Sequence, residues 1–346
     1  MAARAFITGL AGLELAAVER AFIREAQPWG LILFKRNVST PEQVTELIRS
    51  FREAVGWQAP VLVDQEGGRV QRLGPPHWPV YPAGARYGEL YDREPALGTA
   101  AARLAGHLIA ADLAALGIDV DCLPIADVPV EGGDPVIGDR AYGREPGKVA
   151  AIAGAIAQGL QAGGVLPVLK HLPGHGRAAA DSHHRLPVVT ADRATLEATD
   201  FAAFRPLAGL PLGMTAHVVF SVIDPVAPAT TSVTMVREVI RGFIGFRGLL
   251  MSDDVSMNAL SGTIAERSRA ALAAGCDVVL HCNGDLAEMH AVAAASPMLA
   301  GDAALRADAA LAERLAPEEF DIAAARATFA QMMTGHPPAT NRKTNS

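Results

Sequence analysis

Eight short apolar runs recur along the 346 residues, and most of them end in charged, amide or imidazole side chains. They fall at 5–8, 31–34, 60–63, 119–123, 165–169, 213–216, 249–251 and 277–280. Strands that are apolar almost without alternation are buried on both faces, as in a parallel sheet covered by helices. Segments of helical pattern separate them, at 14–25, 41–53, 97–116, 148–162, 192–206, 234–240 and 264–274, and helix then continues to 333. Ser39 or Thr40 before Pro41 supplies a cap-then-proline start for the second of these. Long loops are expected at 64–86 and 124–146.

Eight strand–helix units fit a (β/α)8 TIM-type barrel. The rival is an open doubly wound sheet, and the placement of polar residues decides against it. Asp64, His171, His217, Asp253 and Asn283 each follow a different strand. In a barrel those ends converge on one mouth. Along an open sheet they would spread over more than 30 Å, roughly seven gaps of about 4.8 Å. Half of the residues are hydrophobic but only 5% aromatic, so the core is built from Ala, Val, Leu and Ile. We expect one catalytic barrel domain over 1–334 and a disordered polar tail over 335–346.

The same composition narrows the function. A net charge of −7 with no Lys/Arg run excludes a nucleic-acid partner on electrostatic grounds. Cys122, Cys276 and Cys282 are too few, and odd in number, for a disulfide scaffold, and they fit a reducing compartment. No uninterrupted apolar stretch reaches the length of a membrane span, and the N-terminus has no apolar leader core. A cytoplasmic protein without a membrane partner is expected.

Most of the chemistry is concentrated at 168–183. Lys170 and His171 end the fifth strand, where an unpaired buried ammonium would be costly. A ligand hydroxyl or carboxylate gives it a reason. Pro173, Gly174 and Gly176 then form a turn with His175 inside it. Beyond it, Asp181 and His183 stand two apart, so in extended backbone they share a side and the carboxylate holds one ring nitrogen. Asp253 and Asp254 follow the seventh strand; neighbouring side chains there cannot both face one reacting atom, and spacing does not say which does. Asp64 is placed for ligand hydroxyls, Arg69, Arg72 and Arg140 for a clamp, and Asp139 to hold Arg140. A metal reading of His171, His175, His183, His217 and Asp253 is the weaker one, because Pro173-Gly174 breaks the HxxxH spacing as a helix and no HExxH occurs.

Seven segments occur together in one order: 31–37 (LILFKRN), 63–72 (VDQEGGRVQR), 137–142 (IGDRAY), 170–176 (KHLPGHG), 181–183 (DSH), 214–217 (MTAH) and 252–257 (SDDVSM). This set resembles the family-3 glycoside hydrolases, most closely the bacterial β-N-acetylglucosaminidases (β-hexosaminidases) of peptidoglycan recycling. The resemblance implies a retaining exo-glycosidase. Asp253 would be the nucleophile, His183 the acid/base and Asp181 its orienting partner. Asp64, Arg72, Arg140, Lys170 and His171 would bind the nonreducing N-acetylglucosamine of a small muropeptide, GlcNAc-β-1,4-anhydroMurNAc with or without its peptide. It implies no cofactor, no metal and no obligate protein partner. Thr8, Tyr142, Leu172, His184 and the run 165–168 depart from the usual pattern without removing any of these groups. Three rivals remain at this point: another sugar specificity such as β-glucosidase, against which Asp181 and His183 speak; a metal-dependent hydrolase; and a non-catalytic muropeptide-binding barrel.

Overall fold

In the computed structural model, residues 3–335 are described. The tail expected from 335 onward lies, Gly335 apart, outside them. Eight parallel strands among the described residues close into a barrel. We number them β1 (Arg4–Thr8), β2 (Pro28–Leu33), β3 (Val61–Val63), β4 (Val120–Asp121), β5 (Leu166–Leu172), β6 (Leu212–Thr215), β7 (Leu249–Asp254) and β8 (Val278–His281). Each strand pairs with its sequence neighbours, and β8 closes on β1 through Phe6–Val279 and Thr8–His281.

The strand pleat divides the apolar residues into two cores. Ile7, Ile32, Leu62, Val168, Met251 and Leu280 belong to the cluster inside the barrel. Their neighbours Phe6, Leu31, Val61, Leu169, Leu250 and Val279 belong to the larger cluster between the barrel and its helices. Side chains such as Phe51 and Phe204, fully buried in that outer layer, contribute about 1.5–3 kcal/mol each.

The helices are α1 (Ala17–Ala26), α2 (Pro41–Val55), α3 (Gly84–Arg93), α4 (Pro95–Ala114), α5 (Pro146–Ala162), α6 (Arg193–Ala198), α7 (Ile264–Ala274), α8 (Leu286–Ala295), α9 (Gly301–Ala312) and α10 (Ile322–Met333), with a further helical segment at Met235–Phe243. Thr40 caps α2 through the Gln43 amide, with Pro41 at the first position, as expected. Between α4 and α5 the backbones touch: a Cβ on Gly159 would collide with the Arg103 carbonyl. Ala307 and Ala310 of α9 join the inner cluster and close the barrel floor. Among the described residues no helix is long and apolar enough to cross a membrane.

Several elements differ from expectation, for local reasons. The first helix begins at Ala17 rather than 14, because the Glu19 carboxylate folds back onto the amides of Ala11 and Ala16. The long loop at 64–86 ends in α3. β4 is shorter than 119–123: Asp119 turns its carboxylate onto Val61, and Pro124 has no N–H to donate. The helix expected over 192–206 stops at Ala198, where the Asp200 carboxylate is taken by Arg177.

Candidate active site

Strand parity determines what faces the mouth. Continuing the inward positions by two residues leads from Leu62 to Asp64, from Val168 to Lys170 and from Met251 to Asp253. All three line one cavity of about 610 Å³ at the C-terminal ends of the strands, together with Arg72, Arg140, His171, Asp181 and His183. The residues expected to act together are therefore brought together.

One side of the cavity is a continuous ionic chain. Arg72 donates to Asp64 at 2.8 Å, Lys170 to Asp64 at 2.9 Å, and the Lys170 ammonium lies 2.7 Å from Glu66. Arg140 completes it with two bonds of 2.8 Å to Glu66. Lys170 is only 2% exposed, so the two carboxylates answer the cost of its burial. Burial opposes charge on Asp64 and Glu66, but Lys170 with Arg72 or Arg140 outweighs it. Asp64 is held well below the usual carboxylate range and Glu66 at about 2. Burial likewise lowers Lys170, and Asp64 and Glu66 more than reverse it.

Glu66 was not among the sequence-predicted residues, although it stands two after Asp64 in extended backbone and so shares its side. Asp139 does not hold Arg140; it pairs with Arg69 at 3.0 Å, while Arg140 reaches Glu66 across the mouth. Asp127, also unpredicted, is fully buried. It accepts from the His175 amide at 2.6 Å and pairs with His171 Nδ1 at 2.7 Å, leaving His171 Nε2 for the cavity. The Lys170–His171 and Leu172–Pro173 peptides are both cis.

The two aspartates after β7 divide their roles. Asp254 accepts from the Ser256 amide and hydroxyl and from the Cys282 amide, so it builds the loop. Among the described residues Asp253 has no ion-pair partner; one carboxylate oxygen accepts the Asp254 amide at 2.8 Å. Burial acts to raise its carboxyl, and His217, His171, the Asp254 amide and His183 together outweigh it, so the group sits below its ordinary range and is ionised. His217 is itself fixed, between Thr230 at 2.7 Å and the Asp254 carbonyl at 2.9 Å.

On the loop beyond β5, Asp181 Oδ1 lies 2.7 Å from His183 Nδ1 and also accepts the His183 amide at 2.9 Å. A carboxylate at Nδ1 fixes the proton there and leaves Nε2 to exchange one. Burial acts to raise Asp181, and these contacts with His183 outweigh it and lower it. Among the described residues no group of three or more His, Cys, Asp or Glu side chains is arranged to hold a metal ion. A half-buried ionised carboxylate and a carboxylate-held imidazole lining one cavity, beside a chain of cations and acids, can form and break an ester at one carbon while protonating a leaving oxygen.

The comparisons with known proteins place the chain among the glycoside hydrolases. The family model described as glycosyl hydrolase family 3 N terminal domain matches residues 7–308. The beta-hexosaminidase of Thioalkalivibrio sulfidiphilus is 43% identical over 278 residues, covering 79% of each chain. That of Alkalilimnicola ehrlichii is 41% identical over 279 residues, 80% of this chain and 79% of the relative. The crystal structure of NagZ from Neisseria gonorrhoeae in complex with N-trifluoroacetyl-D-glucosamine superposes with a TM-score of 0.83 at 31% identity, covering 96% of this chain and 97% of the other.

Proposed function

The chain belongs to glycosyl hydrolase family 3, and we infer that its β-N-acetylhexosaminidase activity is that of a retaining exo-enzyme releasing nonreducing terminal N-acetylglucosamine. The substrate is GlcNAc-β-1,4-anhydroMurNAc, with or without its peptide, in peptidoglycan recycling in the cytoplasm. One observation carries the reading: the unpaired Asp253 carboxylate and the Asp181–His183 dyad line the same cavity as the ionic chain from Arg72 to Arg140.

In the first step an Asp253 oxygen attacks the anomeric carbon. The glycosidic C–O bond breaks, and His183 Nε2 gives its proton to the leaving oxygen. In the second step His183 takes a proton from water, whose oxygen attacks the same carbon and releases Asp253. Two inversions retain the configuration. Asp181 keeps the imidazole oriented and stabilises its charged form. Asp64, Arg72, Arg140, Lys170 and His171 hold the sugar hydroxyls; Glu66 and Asp127 fix those groups in place. The β-hexosaminidases among its relatives and the N-trifluoroacetyl-D-glucosamine bound by the gonococcal protein support this specificity.

The test is hydrolysis of an aryl N-acetyl-β-glucosaminide by wild type, D253A and H183A, each with and without EDTA. D253A should be nearly inactive, and H183A less affected, since a good aryl leaving group needs little protonation. Chelator should change nothing, because the nucleophile and the acid/base are both side chains. Wild-type turnover by D253A contradicts the nucleophile assignment; loss of activity in EDTA contradicts the metal-free mechanism.

A further inference from the structure

The catalytic loop contains one residue that behaves unlike its neighbours. The His183 and His184 side chains are 61% and 81% exposed, yet Ser182, between Asp181 and His183, is only 3% exposed. The segment is a turn, in which the Asp181 carbonyl accepts the His184 and Arg185 amides at 3.0 and 3.1 Å, and it directs the Ser182 side chain into the protein. There the Ser182 hydroxyl lies 3.0 Å from His175 Nε2. The Ser182 carbonyl accepts the Ala259 amide at 3.2 Å. The first contact ties the loop to the turn after β5, where the His175 amide and His171 share Asp127. The second ties it to the segment following Asp253 and Asp254. Among the described residues the His175 ring makes no other hydrogen bond, and its Nδ1 is buried without a partner. Burial, with His171 beside it, lowers that imidazole to about 4, so near neutrality it is an uncharged ring with a single polar contact.

We propose that Ser182 is a positioning residue for the acid/base: through His175 and Ala259 it docks the loop on both flanks of the site, and so sets where His183 Nε2 stands relative to the sugar held over Asp253. This rests on the assignment of His183 as general acid. The Ser182 hydroxyl is taken up by His175, so its part in the reaction is indirect. A misplaced His183 hinders proton transfer in both steps, but kcat/KM reads only the first, where a good leaving group needs little protonation; a displacement of about 1 Å is enough to cost up to about a hundredfold.

The experiment is kcat and KM for wild type, S182A, H175A, the S182A/H175A double variant and H183A. The substrates are a series of N-acetyl-β-glucosaminides running from dinitrophenyl to simple alkyl leaving groups. S182A should keep near-wild-type kcat/KM on the dinitrophenyl substrate and lose roughly ten- to hundredfold on the alkyl one. Its melting temperature should stay close to wild type. Removing Ser182 from H175A should cost little more, since the two side chains act through one contact. A steep H183A series beside an S182A series parallel to wild type overturns the Ser182 role alone. Equal loss across all leaving groups in S182A overturns it too, because that is the signature of damaged binding or folding. A flat H183A series removes the general-acid assignment, and the Ser182 role with it.

Discussion

At the floor of the barrel, Asp119 and Asp277 precede β4 and β8 and do the same work. Asp277 accepts the Leu250 amide at 2.9 Å and is held by Arg241 and by Arg306 of α9. Asp119 accepts the Val61 amide at 2.6 Å and is held by Arg52 and Arg314. Each carboxylate is buried, saturated and closed to any cavity ligand. At the mouth, Asp253 is also a strand-end carboxylate, but no cation among the described residues pairs with it and it faces a cavity. The same residue type therefore joins strands to helices at one end and stands ready to react at the other. The difference lies in whether its lone pairs are already occupied. The ionic chain of Asp64, Lys170 and Glu66 is intermediate, internally paired yet lining the cavity.

The comparison is broken most severely at Asp253. D253A should lower kcat by at least about 10⁴-fold while leaving the melting temperature nearly unchanged, measured by aryl-glycoside turnover and thermal scanning. At the intermediate site, Lys170→Met should fail on both counts. It leaves Asp64 and Glu66 buried without their shared cation, at a cost of about 3–5 kcal/mol, and it raises KM; urea unfolding and steady-state kinetics separate the two. At the floor, Asp277→Ala should cost about 3 kcal/mol of stability, with kcat per folded molecule close to wild type. A floor variant that unfolds no more easily but loses kcat would erase the distinction.

A smaller effect sharpens the intermediate case. Asp64 and Glu66 have folded pKa values below their unfolded ones, which are about 4. Below both values the folded and unfolded states bind the same protons, so the advantage is absent; above about 4 it is present in full. Stability should hold from neutrality down to about pH 4.5 and fall as pH drops towards 2. In Lys170→Met that acid dependence should shrink, as a pH series of melting temperatures would reveal.

The barrel was legible because its signal is repeated: eight apolar runs with polar ends leave little other topology. Position at the end of an apolar run also made Asp64, Lys170 and Asp253 legible as strand-end residues, although only the inner core, with Leu62, Val168 and Met251 on one side, separates Asp253 from Asp254. What stayed hidden were the partners. Asp127 meets His171 across 44 residues, and Glu66 meets Arg140 across 74. Such pairings depend on how two long loops fold over the mouth, which no local period records. Asp139 beside Arg140 illustrates the reverse error, since adjacency in sequence turned the two side chains to different partners. Helix ends failed for the same reason: α6 stops where Asp200 is taken by Arg177, a loop residue 23 positions away.

The central claim is that Asp253, the carboxylate without an ion pair, forms the bond to sugar. A slowly released 5-fluoro N-acetylglucosaminyl donor, incubated with the enzyme and followed by proteolysis and mass spectrometry, tests it directly. One sugar per chain is expected, attached through an ester to Asp253 and absent from D253A. Attachment at Asp254 or Asp64, or rapid turnover of the donor by D253A, would contradict it.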